Sequence, residues 1–246
     1  LPMDHPWYAT WFNTPYYHDL YQHRDLTEAR QFIRELCGQL GVRPGERALD
    51  MACGRGRHAQ VLAELGLRTT GIDLSTESIE FAKQFESELL QFQVGDMLQP
   101  IEHEPVKWVF NIFTSFGYFE NDDLHQEAIR HMAQALEPGG KLVFDYMNGA
   151  KITDQLVPED TVQTDLCTYH IKRQLDGDTI VKTIRFTVDC SVNVYEERVR
   201  AFTVEELRAF MEQAGLRVLH TKGDYDMSPY HAAFSDRIIM VSEKPL

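Results

Sequence analysis

The chain has 246 residues, with 38 acidic against 24 basic side chains and a formal charge of −14. That balance repels polyanions such as nucleic acids, and no Lys/Arg-rich stretch offers a local exception, so a small substrate and a cofactor with cationic character are expected instead. The length suits one α/β domain with insertions, and the four cysteines are scattered without CxxC pairs or a His-rich partner run, which excludes a zinc site and a disulfide framework and points to a reducing cytoplasm.

No apolar run approaches membrane-spanning length and no secretory leader pattern is read, so neither a membrane nor export is expected. Residues 7–24 concentrate Trp7, Tyr8, Trp11, Phe12, Tyr16, Tyr17 and Tyr21 in a short span. In a helix Tyr17 and Tyr21 share a face, with Arg24 one turn on. Such an arm can cap the core, close over a ligand pocket with aromatic faces toward a positive group and Arg24 toward a carboxylate, or do both. Thr27 reads as the N-cap of a helix carrying Phe32, Ile33 and Leu36, ended by Gly41 to Gly45.

Arg47 to Met51 reads as a first core strand and Gly54-Arg55-Gly56-Arg57-His58-Ala59 as the turn into a helix with Val61, Leu62 and Leu65. Gly66 stops that helix, and Thr69 to Ile72 form a second strand with Asp73 at its carboxyl end. Ser75 or Thr76 caps the next helix. Phe92 to Val94 is a short third strand leading to Gly95-Asp96-Met97, and Val106 to Phe113 a fourth, nearly all apolar as expected of a strand covered on both faces. An aromatic loop, Thr114 to Phe119, precedes a helix from about Asp122 to Leu136. Pro138-Gly139-Gly140 closes it, and Lys141 to Tyr146 is the fifth strand. This alternation predicts a mainly parallel sheet with ligands at its carboxyl ends.

The pattern changes near residue 150. From Asp165 to Arg200 the alternation is β-type, with a turn at Asp176-Gly177-Asp178, which reads as an antiparallel insertion. Thr203 caps a last helix ended by Gly215, and Leu216 to His220 and Arg237 to Val241 return to the sheet. The expected organisation is an aromatic helical arm or lid over 1–45, a nucleotide-binding core over 46–150, an antiparallel β insertion over 151–202, and 203–246 completing the core sheet.

Gly54-x-Gly56-x-x-Ala59 by itself fits a dinucleotide fingerprint, with Asp73 at the right distance to hold a ribose, so a nicotinamide-dependent oxidoreductase and an adenosyl-sulfonium enzyme both stay open on the turn alone. Three further features bear on the choice: Asp50 one residue before the end of the first strand, Gly95-Asp96-Met97 after the third, and Pro138-Gly139-Gly140 before the fifth. Together with them, residues 45–147 and the final helix and strand pair resemble the class I S-adenosylmethionine-dependent methyltransferases. The CGRGRH turn, GIDLS, the SFGYF loop and the aromatic arm look most like the small-molecule branch that includes sugar-amine N-methyltransferases, whose members carry an antiparallel insertion that helps bind the acceptor or a second subunit. The resemblance implies a Rossmann-like, doubly wound, mainly parallel seven-stranded sheet.

It also implies roles for individual residues. Gly54 and Gly56, with Ala52 beside them, would let the backbone approach the methionine portion of S-adenosylmethionine. Asp73 would accept from the ribose hydroxyls, Asp96 from the adenine amino group, and Met97 would give a backbone N–H to the ring, with Leu74 and Gly95 against it. Phe113 and Thr114 would line the path from sulfonium to acceptor, and Tyr17, Tyr21 and Arg24 would close the pocket. A homodimer and a non-catalytic cofactor-binding module are further expectations that the resemblance allows.

Methyl transfer needs positioning more than acid–base chemistry, since a sulfonium is already a good leaving group. A base is needed only for an acceptor that arrives protonated, and the sequence leaves it unassigned. Tyr118, His125 and His231 are candidates, in a set that also holds Glu120, Asp145, Tyr146, Tyr225 and Tyr230. Asp50 reads as a residue that holds the glycine loop through backbone amides, Cys53 as a small residue filling the turn, and His58 as a helix-start residue or a ligand contact.

Overall fold

The computed structural model describes residues 6–22 and 26–246. Two short helices, α1 (Trp7–Trp11) and α2 (Pro15–Leu20), form the arm and precede α3 (Leu26–Leu40). Thr14 Oγ1 caps α2 by accepting from the Tyr17 amide at 3.2 Å, and Pro15 occupies the first helical position, where no amide is needed. Thr27 lies inside the first turn of α3 instead of capping it.

Strand and helix then alternate: β1 (Arg47–Met51), α4 (Arg57–Glu64), β2 (Arg68–Asp73), α5 (Thr76–Ala82), β3 (Leu90–Val94), β4 (Val106–Asn111), α6 (Asp122–Ala135) and β5 (Leu136–Met147). Ser75 caps α5, its side chain accepting from the Ser78 amide. Pro138-Gly139-Gly140 lies within β5, not ahead of it. Val106 pairs with Leu136 but Trp108 pairs with Lys141, so the Pro-Gly-Gly residues are taken up in a bulge, with Gly139 at φ +75°.

Beyond β5 come α7 (Gly149–Asp154) and four antiparallel strands, β6 (Glu159–Gln163), β7 (Thr168–Asp176), β8 (Thr179–Val188) and β9 (Ser191–Arg200), which make a second sheet in the order β6-β7-β8-β9. Two-residue turns join β7 to β8 at Gly177-Asp178 and β8 to β9 at Asp189-Cys190, where both residues have positive φ. The chain closes with α8 (Val204–Gln213), opened by a Thr203/Glu206 capping box, then β10 (Arg217–Lys222) and β11 (Arg237–Glu243).

The main sheet runs β10-β11-β5-β4-β1-β2-β3, and among its strands only β11 is antiparallel to its neighbours. This is the Rossmann-like arrangement expected, with the antiparallel insertion after the fifth strand. Helices cover both faces. Phe32, Ile33 and Leu36 of α3 and Val61 and Leu62 of α4 pack on Trp108 and Phe110, while Ile129 and Met132 of α6 and Leu207 and Met211 of α8 share a core with Leu49, Val109 and Phe144. β4 therefore buries side chains to both sides, which explains its unbroken apolar run. Strand order reverses between β1 and β4, the place where an open α/β sheet leaves a crevice at its carboxyl end. The arm packs Trp11 and Leu20 on Tyr169, Ile171, Ile184 and Phe186 of the second sheet. No helix among the described residues is long and apolar enough to cross a membrane.

Candidate active site

The turn after β1 alternates left-handed residues: Ala52 at φ 59°, Gly54 at 54° and Gly56 at 80°. Asp73, at the end of β2, fastens this turn to the next one. Its Oδ2 accepts from the Gly54 amide at 2.8 Å and its Oδ1 from the Ser75 amide at 2.8 Å. The two glycines are needed for different reasons. A Cβ on Gly54 would meet open space, so only its backbone conformation demands glycine, whereas a Cβ on Gly56 would stand 2.4 Å from Cζ of Phe92. Gly56 therefore serves packing against β3 and does not line the cavity, contrary to the expectation that it faces the ligand.

Asp50 is buried beneath the turn. The Ala59 amide in the first turn of α4 favours its ionised form, but burial, and then the charge of Asp73, push its carboxyl up to about 7. Its Oδ2 finds no hydrogen-bond partner among the described residues. Burial likewise raises the pKa of the Cys53 thiol, which keeps it a protonated filler of the turn.

Past β4, Phe113 and Thr114 both stand at positive φ, 70° and 59°, a conformation that costs a branched or bulky residue on the order of 1–2 kcal/mol. Asp145 on β5 holds them there. Its Oδ2 accepts from the Phe113 amide at 2.8 Å and its backbone carbonyl from the Thr114 amide at 3.0 Å. Arg237 at the start of β11 completes the clamp, donating from Nε to Asp145 Oδ1 at 2.8 Å and from Nη2 to Thr114 Oγ1 at 2.9 Å. The guanidinium groups of Arg57 and Arg237 lie 4.8 and 5.6 Å from the Phe113 ring centre. The Tyr118 hydroxyl donates to the Thr114 carbonyl.

Two cavities meet at these turns. The larger, about 680 Å³, is lined on the glycine-turn side by Ala52, Gly54, Asp73, Phe113 and Thr114, and Tyr17 and Tyr21 of the arm stand over it. The smaller, about 70 Å³, is bounded by Leu74, Gly95, Asp96 and Met97 with Tyr8 and Phe12 above. Ala52, Asp73, Ser75 and Tyr118 line both. Asn13 anchors the arm here: its Oδ1 accepts from the Ser75 hydroxyl at 2.7 Å. Of the expected cofactor residues, then, all but Gly56 and Arg24 border one cavity or the other, and Arg24 lies outside the described residues.

The base candidates are dispersed. Tyr118 is at the cavities, but His125 is fully buried among Phe116, Phe119, Phe202 and Phe210, and His231 is exposed, stacked on Phe234. Neither lines either of these two cavities. Asp145 lies behind Phe113, Tyr146 donates to the Arg200 carbonyl, Tyr225 to Asp145 and Tyr230 to Asn148; Glu120 is exposed. Cavity residues that the sequence did not single out include His18, Ser75, Ser115 and Arg237, together with Arg173, Lys182 and Glu197 of the second sheet. His58 also faces the cavity; burial, aided by Arg57, pushes its imidazole down to about 3, and burial, aided by Arg55, pushes that of His18 down to about 4. Both are neutral at physiological pH. Only the β-type alternation of the insertion could have located Arg173, Lys182 and Glu197, and alternation does not say which face meets the core.

Residues 43–215 match the methyltransferase domain family, and the chain belongs to it. The putative methyltransferase YqeM of Bacillus subtilis is 26% identical over 241 residues, which span 93% of this chain and 94% of that protein. A ubiquinone biosynthesis O-methyltransferase of Coxiella burnetii is 31% identical over 129 residues, 48% of this chain and only 55% of its own length. Among solved structures, an S-adenosylmethionine-dependent methyltransferase from Clostridium acetobutylicum superposes with a TM-score of 0.79 at 21% identity, covering 94% of this chain and 97% of that one. The amino pentose methyltransferase CalS10 of Micromonospora echinaspora, solved with S-adenosylmethionine bound, gives 0.68 at 18% identity over 94% and 97%. The chain is thus an S-adenosylmethionine-dependent methyltransferase, and the nicotinamide-dependent reading of its glycine turn falls away.

Proposed function

We propose that the two cavities form one continuous site, with the adenine in the smaller one and the methionine portion and a small-molecule acceptor in the larger. The observation that carries this reading is Asp73. It borders both cavities, and its two oxygens, each already held by one backbone amide, keep lone pairs for a pair of ribose hydroxyls. Leu74, Gly95, Asp96 and Met97 would then surround the adenine. Ala52, Gly54, Tyr17 and Tyr21 would run along the methionine portion, and Phe113 and Thr114 would border the route to the acceptor. The residues present fit the cofactor: Gly54 leaves space for a ligand against bare backbone, and a carboxylate stands at the expected ribose position.

When bound, S-adenosylmethionine supplies a methyl group on a sulfonium. Asp73, Asp96, Ala52 and Gly54 would hold it with that methyl offered to a lone pair on an acceptor nitrogen or oxygen, the sulfur keeping the electron pair of the carbon–sulfur bond. The protein's part is to hold the acceptor in line and to keep water out. The clamp of Asp145 and Arg237 fixes Phe113 and Thr114 for this, and the aromatic arm roofs the site. Burial holds His18 and His58 down, to about 4 and 3, which makes both weak bases, and the reading assigns the protein's contribution to positioning an acceptor whose lone pair is free. The enzyme is read as cytoplasmic, and β9, at the edge of the second sheet, is the surface available for a homodimer.

Titration calorimetry tests the reading. S-adenosylhomocysteine is expected to bind at one site per chain and NADH not at all. Binding of NADH alone overturns it.

A further inference from the structure

The strand register of the second sheet sets the chemistry of the acceptor end of the large cavity. Arg173 on β7 pairs directly with Lys182 on β8, and Lys182 with Glu197 on β9, so these three side chains stand in one row on one face. All three line the cavity. The rows on either side of them on the same face are Ile171-Ile184-Tyr195 and Leu175-Ile180-Val199, and Ile180 and Val199 also border the cavity, with Met147, Ile152 and Leu156 nearby. A polar row is therefore set into an otherwise apolar wall.

Two like charges directly opposite one another destabilise a sheet unless something compensates. Lys182 is compensated: its Nζ lies 3.3 Å from Glu197 Oε2, and it also meets the Tyr21 hydroxyl. Arg173 is held only loosely, with Nη2 3.5 Å from Asp160 and Nη1 3.4 Å from the Val157 carbonyl, both at the limit of hydrogen bonding. In a chain of net charge −14, two adjacent cations facing a cavity whose lining carboxylates are Asp73 and Glu197 are conspicuous. Asp73 belongs to the glycine turn and Glu197 to Lys182, so the carboxylate that meets Arg173 among the described residues is the half-exposed Asp160 outside the cavity lining, 3.5 Å away.

We infer that the acceptor carries an oxyanion, a carboxylate or a phosphate, on a largely apolar body, with the anion held by Arg173 beside Lys182 and the body lying on Met147, Ile152, Leu156, Ile180 and Val199. The inference rests on the reading of the large cavity as the shared cofactor and acceptor site. An anion at Arg173 gains charge-assisted hydrogen bonds to a planar guanidinium fork whose present contacts are long, in the positive field of the neighbouring Lys182. It also fixes one end of the acceptor while the other faces Phe113 and Thr114.

Three probes of matched body test it by calorimetry on protein saturated with S-adenosylhomocysteine: 4-phenylbutyrate, 3-phenylpropyl phosphate and the neutral 4-phenylbutyramide. At least one anion is expected to bind about tenfold more tightly than the amide, as one or two charge-assisted hydrogen bonds imply. Which of the two binds better distinguishes a carboxylate acceptor from a phosphate one. Arg173→Gln should abolish the preference and Arg173→Lys keep most of it. Equal binding of all three probes, no binding by any of them, or a preference that survives in Arg173→Gln overturns the inference, including where that variant melts lower because Arg173 only ties β7 to Val157 and Asp160. If S-adenosylhomocysteine itself fails to bind, the reading of the cavity fails before this question arises.

Discussion

Asp73 has two duties that substitution separates. As a ribose acceptor it contributes to cofactor affinity, and as the partner of the Gly54 and Ser75 amides it contributes to the turns themselves. Asp73→Ala should weaken S-adenosylhomocysteine binding by about 1.5–3 kcal/mol in calorimetry and lower the melting temperature as well. Unchanged affinity with a lower melting temperature would leave only the structural duty. Asp50 makes a pH-dependent prediction. Its folded pKa, about 7, stands above that of an unfolded aspartate near 4, so the folded state keeps a proton that the unfolded state has lost across this window. The stability it contributes is present below pH 4 and lost as pH rises through about 7. The half-buried His18 and the buried His58 and His125, pushed down to about 4, 3 and 4, act oppositely and cost stability as pH falls below about 6.5. The wild-type curve mixes both, so the informative quantity is a difference. The melting temperature of Asp50→Asn relative to wild type should rise by several degrees between pH 5 and pH 8, at roughly 2–4 °C per kcal/mol for a chain of this size. A constant difference would mean that Asp50 is ionised throughout.

At the scale of the element, the arm is tied to the second sheet by two carboxylates: Asp19 of α2 accepts from the Tyr169 hydroxyl of β7 at 2.7 Å, and Glu197 of β9 takes the other side. Glu197 Oε1 accepts from Trp11 Nε1 at 2.7 Å and from the Tyr21 hydroxyl at 2.9 Å, while Lys182 pairs with its other oxygen. Glu197→Ala would remove the ion-pair partner of the mostly buried Lys182 and the anchor of the Trp11 indole, loosening α1 at a cost of about 3 kcal/mol while Asp19 still holds α2. Limited proteolysis should then cut within residues 6–22 well before the core, and S-adenosylhomocysteine should retard that cleavage. Cleavage at the wild-type rate would show that aromatic packing and the Asp19 hydrogen bonds hold the arm without Glu197. That the arm would be helical and aromatic could be read from Tyr17 and Tyr21, but its attachment could not, because Trp11 and Glu197 are 186 residues apart. Local signals were reliable where chemistry is local, as at the Ser75 cap, the Thr203/Glu206 box and the Gly177 turn. They failed where a long-range partner decides: β5 begins at Leu136 because Val106 pairs with it, and β6, an exposed and charged strand, shows no alternation to announce it.

For the molecule as a whole, the mainly parallel character of the sheet was legible from βα alternation and its seven-stranded, doubly wound form from the family resemblance, whereas the strand order came with the structure. The residues proposed for the cofactor came from the resemblance, and the structure places all of them except Gly56 and the undescribed Arg24 along the two cavities. The surroundings of His125 and His231 were not legible, because residue type does not reveal whether a histidine lies in an aromatic core, as His125 does, or in open solvent, as His231 does. The acceptor side was illegible, because it depends on which face of a separate sheet is turned toward the cavity. A crystal structure with S-adenosylhomocysteine bound tests the central claim most directly. The adenine should lie between Leu74 and Met97 with its amino group at Asp96, and both ribose hydroxyls should lie within hydrogen-bonding distance of Asp73. A nucleoside bound elsewhere, or a ribose that does not touch Asp73, would contradict the account.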